Sequence, residues 1–139
     1  MADSLEHEVF WAIHSGLPRE APGSDETTLR ALSIWPVLPL DATLLDLGCG
    51  PGGQTVTLAS ATQAHITAVD THAPFLAELM RRAKHAGVAD RIDALQASMF
   101  DLAFDAAFDG IWCEGAIYIM GFEEGLRRFQ RWQIGRAHV

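Results

Sequence analysis

The sequence predicts an α/β fold, a doubly wound parallel sheet preceded by two helices. Three observations point there. From Thr43 onward, short apolar runs alternate with stretches of helical periodicity, the pattern of βαβ units. The first of these strands runs directly into a glycine-rich turn, Gly48-Cys49-Gly50-Pro51-Gly52-Gly53, and then into a helix. The composition supports a buried core: of 139 residues, 49% are hydrophobic and 20% charged, an amount of chain that fits one domain.

The elements follow in order. Residues 3–14 form an amphipathic helix with Leu5, Val9, Phe10 and Ile13 broadly on one side, ended by Gly16-Leu17-Pro18. Residues 18–25 are a loop rich in turn-forming residues. Ser24 or Asp25 caps a second helix running to about Ile34, with Leu29 and Leu32 facing inward, and Pro36 and Pro39 punctuate its end. Residues 43–47 are a short buried strand, 54–61 a helix and 65–70 a second strand. Thr71 or His72 starts the next helix. Pro74 is tolerated in its first turn, Leu76, Leu79, Met80 and Ala83 share one face, and Gly87 lies just past its end. Residues 91–97 and 108–113 are a third and a fourth strand, and 122–132 a final helix. Crossovers between parallel strands are right-handed, which places helices on both faces. Ligands of such sheets bind beyond the carboxyl ends of the strands, so the residues just after each strand are the candidates for function.

The composition narrows the function. A net charge of −8 argues against nucleic-acid binding, which needs a basic face to neutralise phosphates. No apolar run approaches the ~18 residues of a membrane span. The acidic N-terminus lacks the apolar region of a signal peptide, so a cytoplasmic protein is expected. Cys49 and Cys113 are too few and too far apart for a disulfide framework or a Cys-rich zinc site. The histidines at 7, 14, 65, 72, 85 and 138 show no metal-ligand spacing, so no metal is expected.

The glycine turn carries the chemistry. Gly48, Gly50 and Gly53 satisfy G-x-G-x-x-G between a strand and a helix. Glycine there permits positive φ and close approach of the backbone to a ligand. Asp70, about 20 residues on, ends the next strand, where a carboxylate can accept both ribose hydroxyls of an adenosine. Two adenosine ligands compete, a nicotinamide dinucleotide and S-adenosylmethionine. Asp46 lies two residues before the first glycine. Its charge would repel a pyrophosphate and attract the ammonium of S-adenosylmethionine, directly or through water. The chemistry favours S-adenosylmethionine, with a nicotinamide-dependent oxidoreductase and a non-catalytic adenosine-binding module as the alternatives.

The run Asp46-Leu47-Gly48-Cys49-Gly50-Pro51-Gly52 resembles the first motif of class I S-adenosylmethionine-dependent methyltransferases, and the resemblance spans Leu44 to about Trp132. It is similar above all to the small-molecule group that includes the ubiquinone-biosynthesis-like enzymes. The resemblance implies a seven-stranded, Rossmann-like domain of which residues 41–132 hold the N-terminal part, about four strands, with residues 1–40 as a helical cover over the cofactor cleft. It implies that the first-motif residues Asp46, Gly48, Cys49, Gly50 and Gly52 line the methionine part of the cofactor, and that Asp70 with Thr71 holds the ribose. Ser98-Met99 stands where the family places an adenine-binding Asp; a serine there lacks the charge assistance of a carboxylate. The cover segment, with Pro18-Arg19-Glu20 and Pro22-Gly23-Ser24-Asp25, also resembles a methyltransferase subgroup.

Glu114, just after the fourth strand, is the candidate for a chemical role. It deprotonates or orients a small-molecule methyl acceptor, or it bonds the cofactor ammonium or a neighbouring loop. Tyr118 is a second catalytic candidate through its hydroxyl. Phe10 and Trp11 are either lid aromatics or helix packing, His72 either lines the cofactor edge or caps a helix, and Cys113 and Trp112 read as core. The tail, residues 133–139, matches the translation of a widely used sequencing-library adapter and is expected to be a scar; the alternative is a helix end with Gly135 as its cap. On the scar reading the later strands are missing, the fourth strand is left as an apolar edge, and the chain by itself is inactive.

Overall fold

The computed structural model describes residues 2–135. Helices α1 (Ala2–His14) and α2 (Asp25–Ser33) precede β1 (Thr43–Leu47), α3 (Gly53–Ala61), β2 (His65–Asp70), α4 (Ala73–His85), β3 (Ile92–Gln96), β4 (Gly110–Trp112) and α5 (Phe122–Trp132). The four strands form one sheet in the order β3-β2-β1-β4, every pair parallel. The order reverses between β1 and β4, so a crevice opens where their carboxyl ends diverge.

Alternation along the strands divides the core into two layers. Leu44, Ile66 and Ala68 point to one face and pack with Leu58 and Ala59 of α3 and Leu79 and Ala83 of α4. Leu45, Leu47 and Val69 point to the other face and meet Phe108 and Trp132, with Phe129 against them. Helices therefore cover both faces, as the βαβ pattern predicts. Trp35, in the connection between α2 and β1, packs its ring edge-on to Trp112, and a Cβ added at Gly110 would meet that Trp35 ring.

Several expectations need correction. Leu29 was expected to face inward and is 45% exposed; the buried residue of α2 is Thr28. A polar anchor sets that orientation, because the Thr28 hydroxyl donates to Glu114 at 3.1 Å. On α1, Leu5, Val9, Phe10 and Ile13 all remain exposed, and the helix reaches the body of the protein through Trp11 instead. Ser24, not Asp25, caps α2, in a capping box with Thr27. The fourth strand is shorter than 108–113. Phe108 instead makes an isolated parallel bridge to Gln133, and the Ile134 N–H donates to the Phe108 carbonyl at 2.7 Å. The beginning of the expected scar thus lies along the chain leading into β4, and the rest of it, 136–139, lies outside the described residues. Among the described residues no helix is long and apolar enough to cross a membrane.

The end of α3 shows how a single side chain ties elements together. Arg91, just before β3, donates to the carbonyls of Ala59 at 2.8 Å, Ala64 at 3.1 Å and Thr62 at 3.2 Å. Its fork satisfies a carbonyl left open in the last turn of α3, that of the cap residue Thr62, and that of Ala64 in the connection to β2. Replacing Arg91 by Ala should lower stability by about 2 kcal/mol, and Arg91→Lys should restore less than half of that, because an ammonium cannot match three separated acceptors. Urea denaturation of the three proteins checks this; full recovery by Lys would refute the geometric account.

Candidate active site

A cavity of about 490 Å³ opens at the carboxyl ends of the strands. Gly48, Cys49 and Gly50 line it from the β1–α3 connection, Gln54 from the first turn of α3, and Asp70 and Thr71 from the end of β2. Ser98 and Met99 follow β3, and Glu114, Ala116 and Tyr118 follow β4. The N-terminal segment closes another side with Phe10, Trp11, His14, Arg19 and Glu20.

The turn is closed on itself. The N–H groups of Gly48 and Cys49 both donate to the Val69 carbonyl, at 2.8 and 2.9 Å, and that of Gly50 donates to Asp70 Oδ2 at 2.9 Å. Gly52 N–H donates to the Cys49 carbonyl and Gly53 N–H to the Pro18 carbonyl, at 3.2 and 3.0 Å. Pro51 has no N–H. Every donor from 48 to 53 is therefore spent inside the protein. Gly48 has φ +71°, and a Cβ there would collide with Ala116. Gly52 was expected to contact a ligand but does not line the cavity. It has φ +89°, and its missing side chain leaves room for Leu79 of α4, so its role is packing.

Asp70 is held from both sides. Its Oδ2 accepts from Gly50 and its Oδ1 from the His72 N–H at 3.0 Å. Each oxygen keeps acceptor capacity toward the cavity. Ser98 spends part of its hydroxyl on the Phe100 N–H at 3.3 Å. His72 lies outside the cavity. As the cap residue of α4 with no capping bond from its side chain, it is free to stack on Trp11, with ring centroids 3.6 Å apart and planes 5° from parallel.

Asp46 also departs from expectation. Its side chain is fully buried and does not line the cavity. It sits one layer behind the wall, accepting from Thr55 Oγ1 at 2.6 Å and Gln54 Nε2 at 3.2 Å. Burial pushes its carboxyl up to about 7; the bonds from Thr55 and Gln54 oppose the rise, and the charges of Glu114 and Asp70 add to it. Burial, with Asp46 and Asp70 nearby, also raises the Cys49 thiol, which makes it an inert filler rather than a nucleophile. Cys113 is pushed up to about 11, chiefly by burial.

Glu114 resolves in favour of a loop tether. One oxygen accepts from Arg19 at 2.8 Å; the other accepts from Thr28 at 3.1 Å and from the Trp112 indole at 3.0 Å. Both oxygens are thus engaged within the protein, the arrangement of the neighbouring-loop alternative. Arg19, its side chain only 8% exposed, also binds Asp25 at 2.8 Å. Asp25 is held below the usual carboxylate range by the hydrogen bonds from Arg19 and Thr57. Tyr118 is at the cavity but 76% exposed. Glu20 faces Asp70 from the cover. Burial raises its carboxyl; His14, whose Nε2 is 3.9 Å away, opposes that, and Asp70 reinforces it. Among the described residues no cluster of His, Cys, Asp and Glu is placed to hold a metal ion.

Gln54, Thr55 and Thr28 were not singled out from the sequence, and Arg19 and Glu20 only as part of the cover segment, with no role of their own. Gln54 and Thr55 had a signal, their place in the first helical turn after the glycines. The contacts of Arg19 and Thr28 with Glu114 had none, because residues so far apart in the chain leave no local pattern when they meet.

Asp46 yields a pH prediction. It keeps its proton to higher pH when folded than when unfolded. Between pH 4 and 7 the folded state then binds more protons, and this group's contribution to stability falls as pH rises. Asp46→Asn removes that dependence. Its melting temperature relative to wild type should increase from pH 4 to pH 8 by scanning calorimetry; a constant difference would refute the assignment.

Comparison with known proteins agrees with this geometry. The profile of the family described as "Methyltransferase domain" matches residues 44–133. The 27-O-demethylrifamycin SV methyltransferase of Amycolatopsis mediterranei is 30% identical over 117 residues, which cover 82% of this chain and 41% of that one. A methyltransferase from Thiobacillus denitrificans, described as SAM-dependent and solved with S-adenosyl-L-homocysteine, superposes with a TM-score of 0.78. It has 25% identity, covering 90% of this chain and 50% of its own. A SAM-dependent methyltransferase from Geobacter sulfurreducens, also solved with S-adenosyl-L-homocysteine, gives a TM-score of 0.69 and 27% identity over 85% of this chain and 47% of its own. The chain thus spans less than half the length of the curated relatives and about half of these structures. By sheet order, motif position and the extent of the match, the chain belongs to the methyltransferase domain family, in its class I, Rossmann-like form.

Proposed function

We propose that the protein represented by this chain transfers a methyl group from S-adenosylmethionine to a small-molecule acceptor in the cytoplasm. The observation that carries the choice of ligand is the closed turn. A dinucleotide places its pyrophosphate on free N–H groups of a glycine turn. Here each such donor from Gly48 to Gly53 already has an acceptor in the chain. The charges agree: Asp70 and Glu20 line the cavity, and Arg19 is engaged by Asp25 and Glu114; Asp46, behind the wall, adds to this when ionised. Such a pocket suits a cation and opposes a phosphate. The two solved relatives named above hold S-adenosyl-L-homocysteine.

The residues present fit that cofactor. Asp70, braced by two backbone N–H groups, would accept the ribose hydroxyls, with Thr71 beside it, and Ser98 and Met99 would border the adenine. Gly48, Cys49 and Gly50 would border the methionine part, with Asp46 acting from behind. Bound there, the cofactor supplies a sulfonium methyl group open to in-line displacement. The chain's own work is alignment and exclusion of water, which can supply much of the acceleration. Arg19 and Glu114 strap the cover over the acceptor side, Trp11 anchors α1 on α4, and Tyr118 offers a hydroxyl at the cavity mouth. In this reading Glu114 positions the cover and does not move a proton. With about half the length of its solved relatives, the chain alone is inferred to bind cofactor without catalysing transfer.

Isothermal titration calorimetry of the chain with S-adenosylhomocysteine and with NADH tests the proposal. The first should bind and the second should not, and Asp70→Asn should weaken binding by about tenfold or more through the loss of charge-assisted hydrogen bonds. Binding of NADH in place of S-adenosylhomocysteine would reverse the reading, and methyl transfer by the chain alone would overturn its inactivity.

A further inference from the structure

Gln54 is a cavity residue whose amide the protein orients and whose amide oxygen is left without a donor among the described residues. The residue is 5% exposed. Both hydrogens of its amide nitrogen are engaged, one by Asp46 Oδ2 at 3.2 Å and one by the Cys49 carbonyl at 3.0 Å. Turning the amide over would set its oxygen against the Cys49 carbonyl in either protonation state of Asp46, and against a carboxylate as well once Asp46 is ionised, so the orientation shown is the favoured one. Oε1 then has no donor among the described residues, yet no buried side-chain polar atom is sealed without a partner. Oε1 is therefore not sealed off, and the open space that Gln54 borders is the cavity.

Register says which end of the cavity this is. Asp70 is opposite Gln96 at the tips of β2 and β3, while Asp46, which grips Gln54, is opposite Trp112 where β1 meets β4. The adenosine-holding groups are on the first side and Gln54 on the second. On the reading that the ligand is S-adenosylmethionine, we propose that Gln54 is a further ligand-binding residue, its Oε1 accepting a hydrogen bond from the ammonium group at the amino-acid end. Asp46 then acts without touching the ligand. It aims the amide and, when ionised, polarises it, which strengthens an acceptor facing a cation. The arrangement gives the protein selectivity for a ligand with a positive donor at that end.

The test compares two ligands on the same protein. S-adenosylhomocysteine carries the amino-acid end; 5′-methylthioadenosine keeps the nucleoside and thioether and lacks it. In calorimetric titrations Gln54→Met should weaken S-adenosylhomocysteine by about tenfold and change 5′-methylthioadenosine less than twofold. Gln54→Asn, which keeps the amide but withdraws it, should behave alike, and it decides the matter if the Met variant binds neither ligand. Equal losses for the two ligands in the deciding variant, or unchanged S-adenosylhomocysteine binding, overturn the assignment of Gln54 while leaving the cofactor reading intact. No binding of S-adenosylhomocysteine by the wild-type chain overturns both.

Discussion

A carboxylate buried at the junction of β1 and α3 constrains everything around the cavity. Asp46 is fully enclosed, and an enclosed charge is tolerated only with hydrogen bonds to answer it. Thr55 and Gln54, in the first turn of α3, provide those bonds, so the helix cannot rotate or slide without stranding the acid. The turn between them must be short, and its glycines make it so: Gly48 and Gly52 adopt positive φ, and their bare Cα atoms lie against Ala116 and Leu79. The position of the turn then fixes the cavity wall and the side from which Asp70 meets it.

The cover is built on the same logic with a different charge pair. Arg19 is almost enclosed and is answered by Asp25 and Glu114; Glu114 in turn is answered by Thr28 and Trp112. Removing either charge would leave the other poorly paired in a low-dielectric place. The network links residues 19–28 to the end of β4, and the Pro18 carbonyl rests on Gly53 where any side chain would interfere. The cover is thus attached at polar points and, beside them, through Trp11 stacked on His72 and Leu32, Trp35 and Leu38 packed against the core. Other apolar residues, Leu5, Val9 and Ile13 on α1 and Ile34, Val37 and Leu40 beyond α2, stay exposed.

The scaffold was legible for local reasons. Apolar runs, the glycine turn and the positions of Pro74 and Gly87 act over a few residues, and each predicted strand and helix is present. Asp70 was legible too, because a strand end followed by a helix is a local address. The limits of legibility are equally specific. Leu29 looked like the inward residue of α2, since apolarity is the signal a sequence offers, whereas a hydroxyl reaching Glu114 turned Thr28 inward instead.

By itself, then, the sequence determined the parallel α/β scaffold, the turn and the acid at the end of β2, because each is written in the spacing of neighbouring residues. Only the tertiary structure decided how the acids divide their work. Asp46 is withdrawn behind the wall, Asp70 is presented to the cavity, and Glu114 is tied to the cover. The physical reason is that a carboxylate's role depends on what encloses and donates to it, and here those donors are Thr55 and Gln54 for Asp46, backbone N–H groups for Asp70, and Arg19 for Glu114. Arg19 and Glu114 lie far apart in the chain and meet only after it has folded.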